Sequence, residues 1–154
     1  MRTNRSKRRQ AGLALLDSLI GAIILVLGSL TYFSLVPVVQ KSQVLAAQRS
    51  VAIQICNRVI EHVQLLKPKD LNAAALSQLN LIDAGQTQSP YTFTALPLDD
   101  GSFYSPRQSL QGGAGTMTVT PLTHGSVMVQ LTLTWTGPGG NQSYTTGTIL
   151  GGYR

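Results

Sequence analysis

Only one cysteine, Cys56, stands in the 154 residues. A single thiol excludes an intrachain disulfide, a cysteine-built zinc cluster and a CxxC redox pair. It reads as a small buried apolar residue. Histidine is nearly as scarce: His62 and His124 lie far apart in the sequence, and neither has a Ser or Cys nucleophile with an acid partner beside it. Charged residues make up 12% of the chain and acids number six. The one adjacent pair, Asp99-Asp100 before Gly101, reads as a solvated turn, since a calcium ion asks for about six to eight oxygens. Gly112-Gly113-Ala114-Gly115 lacks the Lys-Ser/Thr of a phosphate loop and precedes a strand pattern, so it reads as a flexible turn. Asn141-Gln142-Ser143 fits a glycosylation sequon, a tripeptide common by chance. No enzyme, metal or cofactor is expected from these residues.

The formal charge of +6 suggests a polyanion partner until it is located. Five of the twelve basic residues, Arg2, Arg5, Lys7, Arg8 and Arg9, fall within the first twelve positions, leaving seven against six acids. The remainder is nearly neutral, which argues against strong non-specific nucleic-acid binding while leaving a local patch open. The length admits one modest domain plus one anchor.

What the chain does have is a long apolar run. Leu19 to Val39 carries no charge, and as a helix it is long enough to cross a hydrocarbon core of about 30 Å. The basic cluster immediately before it predicts a cytoplasmic N-terminus and an extracytoplasmic remainder. A secretory signal with a cut near Val44-Leu45-Ala46 fits less well, because five polar or so residues and a helical pattern surround that site. Arg8-Arg9 followed by Gln10-Ala11-Gly12 is a weak match to a twin-arginine signal.

Beyond Val39 the apolar positions Val44, Ala47, Val51, Ile55, Val59 and Val63 recur at three and four, predicting that the span continues as an amphipathic helix. Lys67-Pro68 should stop it, and Pro37 should kink or loosen it. A short second helix is expected over Leu71–Leu79. Strand alternation follows at Tyr91–Thr94, at Thr116–Thr120 and most clearly from Val127 to Trp135. Residues 137–141 make a turn, and Ser143–Leu150 returns as the partner of an antiparallel hairpin.

The most informative stretch is Arg8-Arg9-Gln10-Ala11-Gly12 followed by Leu13-Ala14-Leu15-Leu16-Asp17-Ser18-Leu19-Ile20. Insertion scales charge about 2.5–3.5 kcal/mol for an Asp at the centre of a membrane helix, so an acid at the head of the span asks for compensation. A cut after Gly12 would supply it, creating an ammonium on Leu13 four residues before Asp17, within reach of its own or a neighbouring subunit's carboxylate. The plainer alternative makes Asp17 an interfacial residue at the mouth of a signal anchor.

This stretch resembles the class III leader of type IV prepilins and pseudopilins. The resemblance implies a basic leader ending at Gly12, cleavage by a prepilin peptidase, methylation of the new N-terminal Leu13, and Asp17 at the fifth mature position as the acid that docks the subunit into a filament. The family usually has Phe at the first position and Glu at the fifth, where this chain has Leu13 and the shorter Asp17. Leu15–Ala22 with Gly28, and the strand-turn-strand around Leu131–Gly137 with Trp135 ending its first strand, are similar to PilV-type minor pilins and to minor pseudopilins of type II secretion. Cys56 alone cannot close the two-cysteine loop of many major pilins.

The implied fold is α+β: a long N-terminal helix, transmembrane in its first half and amphipathic in its second, packed on a small antiparallel sheet. The implied organisation is a leader over 1–12, a membrane or filament-core half over 13–40, an amphipathic half over 41–66 and a sheet domain over 67–154. The implied partners are the peptidase, other pilins or pseudopilins, an inner-membrane assembly platform, and membrane lipid before assembly. A different class of reading makes the chain a filament-tip or membrane-anchored binding module for DNA, a secreted substrate or a surface.

Overall fold

The fold was described from a computed structural model, which describes residues 4–95 and 105–151. Helix α1 runs from Asn4 to Gln64 and continues through Pro37. The chain divides into two compact units, residues 1–42 and 43–154. Over the described residues, the first consists of α1 alone. Its side chains from Leu15 to Val39 are almost all exposed, with Leu15 at 72% and Phe33 at 71%. Apolar side chains left this open are what a helix surrounded by lipid or by other helices requires.

The second unit is α+β. Residues 43–64 of α1 lie against a four-stranded antiparallel sheet in the order β1 (Tyr91–Phe93), β2 (Ala114–Pro121), β3 (Val127–Gly137) and β4 (Gly140–Leu150). Two short helices, α2 (Ala73–Gln78) and α3 (Pro106–Ser109), lie in the connections. Every adjacent pair is antiparallel, with Leu131 opposite both Met117 and Thr146. The inward residues Tyr91, Phe93, Met117, Val129, Leu131, Leu133 and Trp135 meet Ala52, Ile55, Cys56, Val59 and Val63 of α1 in one core. Alternation puts apolar residues inward and a row of hydroxyls outward, Thr92, Thr116, Thr132 and Thr145 standing side by side across all four strands.

Several expectations are corrected. Of the predicted row on α1, Ile55, Val59 and Val63 are buried and Val51 packs half-buried against the core, whereas Val44 and Ala47 are exposed. The stripe runs instead through Gln48, Ala52, Ile55, Cys56, Val59 and Val63. Four-residue steps overshoot a turn by about 40°, so a row followed back from Val63 by fours reaches the margin of the core face at Val51 and leaves it at Ala47, and three-residue steps bring it back. The helix stops at Gln64, just before Lys67-Pro68, and a 3-10 turn covers Pro68–Asp70. The second helix is shorter than Leu71–Leu79 because Asn72 caps it, its Oδ1 accepting from the Ala75 N–H at 2.9 Å.

Strand β2 begins at Ala114, so the glycine run is only half a turn. Gly115 is a strand residue opposite Phe93, whose ring occupies the space a Cβ would fill. Close approach explains this glycine. The final hairpin turns within Pro138-Gly139, and β4 starts at Gly140 (φ 101°), three residues earlier than the sequence pattern suggests.

Candidate functional site

The N-terminal stretch places its candidate residues along one helix. Gly12 and Leu13 fall within the backbone of α1, and Asp17 follows one turn after Leu13, at the i, i+4 spacing that puts two residues on one face. Asp17 is exposed, and it makes no ion pair or side-chain hydrogen bond among the described residues. Its carboxylate is therefore open to a cation from outside the described chain.

Asp17 stands well inside α1, beyond the first turn where the helix-end dipole acts. Aligned peptide dipoles leave about half a positive charge at a helix N-terminus, which stabilises a nearby carboxylate by about 0.3–1 kcal/mol and disfavours cations. As it stands α1 has no acid in its first turn. The sequence places Arg5 and Lys7 there instead, with Arg8 and Arg9 directly after. A helix starting at Leu13 would carry only the terminal ammonium at its head, with Asp17 four residues on.

The hydroxyls that follow are bonded within their own helix. Ser18 Oγ donates to Leu15 O at 2.9 Å, Ser29 Oγ to Leu25 O at 2.8 Å, Thr31 Oγ1 to Gly28 O at 2.8 Å and Ser34 Oγ to Thr31 O at 2.8 Å. Each finds its acceptor within its own helix, which is how polar groups are carried through hydrocarbon. Tyr32 and Phe33 pack edge to face with ring centres 5.9 Å apart. Leu15–Gln64 includes one helical window long and apolar enough to span a membrane.

The other residues singled out in the sequence do not gather into a second site. His62 is half-buried on α1, its Nδ1 2.9 Å from Arg58 O. His124 sits in an exposed turn with φ 62°. Among the described residues no three His, Cys, Asp or Glu side chains converge as a metal site would require. Asp99-Asp100 lies outside the described residues. Cys56 is buried, and burial pushes its thiol pKa up to about 12. Asn141-Gln142-Ser143 opens β4, with Asn141 and Ser143 exposed.

Two features escaped the sequence reading. Trp135 is buried, and its Nε1 donates to Gln48 Oε1 on α1 at 3.2 Å, tying the hairpin end of β3 to the helix. Asp83 is a hub: it accepts from the Thr94 N–H at 2.9 Å and from the hydroxyls of Thr92 and Thr94 at 3.1–3.2 Å. The order Asp-(x)8-Thr-x-Thr was the only available signal, and nothing local marks it as a pair.

Comparisons with protein-family models, curated proteins and solved structures found no match.

Proposed function

We propose that this chain is a minor pilin or pseudopilin, a structural subunit that assembles into, or primes, a type IV pilus-like filament. A prepilin peptidase removes residues 1–12, Leu13 becomes the methylated N-terminus, and Asp17 meets the terminal amine of its own or an adjacent subunit. The observation that carries this reading is an exposed carboxylate without a partner among the described residues, one helical turn after Leu13, heading the uncharged stretch Leu19–Val39, whose apolar side chains are almost all exposed. The membrane holds the precursor through Leu19–Val39, and in the filament neighbouring helices take over from lipid, with packing as the main attraction between them.

The pairing explains how an acid is tolerated at that depth. An ammonium within about 4 Å of a carboxylate offsets much of its desolvation in a medium of low effective dielectric, whereas either charge alone bears the cost in full. The same term gives register, since a subunit displaced by one turn leaves both charges unpaired. Asp17→Ala and Asp17→Asn should therefore insert in the membrane as the wild type does and fail to enter filaments, with Asp17→Glu retaining incorporation. Membrane fractionation beside filament shearing reads both steps, and normal incorporation of Asp17→Ala would sink the docking role.

A further inference from the structure

The hydroxyls of the apolar helix are not all alike. Ser29, Thr31 and Ser34 bond to carbonyls of the preceding turn, whereas a phenol stands too far from its own backbone to do so. Tyr32 packs edge to face on Phe33, and among the described residues its hydroxyl finds no acceptor. The side chain is 66% exposed. Tyrosine in a membrane helix ordinarily sits at the interface, with its ring in hydrocarbon and its hydroxyl in water. Tyr32 is not placed there. It lies seven residues, about 10 Å, inside the Val39 end of the uncharged run, and long side chains on a helix lean toward the N-terminus, which here is deeper into the run.

A second group in the same turn lacks its partner for a different reason. Helix α1 continues through Pro37. Proline has no N–H, so the carbonyl of Phe33, four residues earlier, is without its helical donor. The hydroxyls of Ser29, Thr31 and Ser34 go to Leu25, Leu27, Gly28 and Thr31, and none reaches Phe33 O. In hydrocarbon neither the phenol nor this carbonyl meets water, and polar groups left so are costly.

We propose that the Tyr32 hydroxyl of one copy of this chain donates to the Phe33 carbonyl of a second, parallel copy, and that this bond orders how copies add to one another. Each copy carries one vacant donor and one vacant acceptor on adjacent residues, so a second copy in the same membrane supplies both at nearly the same depth. A lipid acyl chain supplies neither. The proposal rests on the membrane and filament reading above and leaves its Asp17 contact untouched.

Helix geometry fixes how the copies meet. Residues advance about 100° each, so the wedge between Phe33 and Pro37, where the vacant carbonyl lies, is about 100° or more around the helix from Tyr32. Donor and acceptor therefore face different neighbours. The Tyr32 ring leans toward the N-terminus while helix carbonyls point toward the C-terminus, so the donor copy is set further along the helix direction than the acceptor copy. A two-fold pair about an axis parallel to the helices permits no such stagger. The contact is heterologous: each copy donates to one neighbour and accepts from another, and contacts of that kind build an open series instead of a closed pair. Gly28, one turn before Tyr32 on the same face, has open space where a Cβ would stand, which leaves room for the leaning ring and for close approach of a neighbouring backbone.

The test follows the full chain in detergent micelles by sedimentation equilibrium. Tyr32→Phe keeps the ring and removes the donor. Pro37→Ala gives the Phe33 carbonyl an N–H within its own helix and so removes the vacant acceptor. Thermal unfolding read by tryptophan fluorescence checks that residues 43–154 stay folded in each variant. The wild type should form complexes of more than two copies. Each variant should associate about three- to twentyfold more weakly, the range spanned by hydrogen bonds between membrane helices, and the double variant no more weakly than either. An equimolar mixture of the two single variants holds one donor and one acceptor per pair, so it should regain near wild-type strength and stop at two copies. A wild type that enters micelles and stays monomeric or closes as a dimer, a variant that associates as the wild type does, or a mixture no better than its parts would each overturn the proposal. A wild type that does not enter micelles would overturn it together with the membrane reading. Leader cleavage enters none of these measurements, so the filament assignment and this contact can fail separately.

Discussion

Replacing Gly115 with Ala tests the packing of the second unit at its tightest point. The ring of Phe93, fully buried, lies where the new methyl would stand, overlapping Cε2 and Cζ. Gly115 has no left-handed backbone angle, so strain at the substituted residue is not at issue. Either the ring leaves its place in the core or β1 peels from β2. Overpacking of this kind costs typically about 1–3 kcal/mol, and full loss of the Phe93 contacts about 3–5 kcal/mol, so a loss of about 2–4 kcal/mol is expected. For a folded unit of residues 43–154 that corresponds to a fall in Tm of roughly 8–16 °C. The assay is thermal unfolding of the full chain in micelles followed by tryptophan fluorescence, completed as a cycle with Phe93→Ala. In the Phe93→Ala background the second change should cost under about 0.5 kcal/mol. A Gly115→Ala protein within about 0.5 kcal/mol of wild type would refute the reasoning.

Two further outcomes follow from buried groups. Gln48→Ala leaves the buried Trp135 Nε1 without its acceptor, which should cost about 1–3 kcal/mol and shift the emission of the chain's single tryptophan; unchanged emission and Tm would contradict the bond. Cys56 should resist thiol reagents at pH 8 until the protein unfolds. Because its pKa is raised from 9.0 to about 12 by burial, the unfolded chain releases this proton first as pH rises. Stability should therefore be intact below pH 9 and fall above it by up to roughly 1.4 kcal/mol per pH unit, a slope that Cys56→Ala removes. Equal slopes for wild type and variant between pH 9 and 10.5 would count against it.

Periodicity made the large elements legible: the apolar run, its amphipathic continuation and the alternation of Val127–Trp135 each depend only on neighbours in sequence. What depends on the third dimension was not. The buried face of α1 was read correctly from Val51 to Val63 and misplaced at Val44 and Ala47, because a four-residue row and a core face diverge along a helix, and Ala52, a small side chain at the helix–sheet contact, gives no pattern of its own. Gly115 read as turn because its reason, the ring of Phe93, is more than twenty residues away. At the candidate site, the order of Gly12, Leu13 and Asp17 was read directly, while the self-bonded hydroxyls of Ser29, Thr31 and Ser34 needed coordinates.

The central claim is most directly tested at the N-terminus. Co-expression with a prepilin peptidase, followed by intact-mass spectrometry of the purified protein, reports both processing steps at once. The account predicts loss of residues 1–12 and one added methyl on Leu13. A retained leader, or a cut near Ala46, would contradict it and leave Asp17 as no more than an interfacial residue of a signal anchor or a secreted domain.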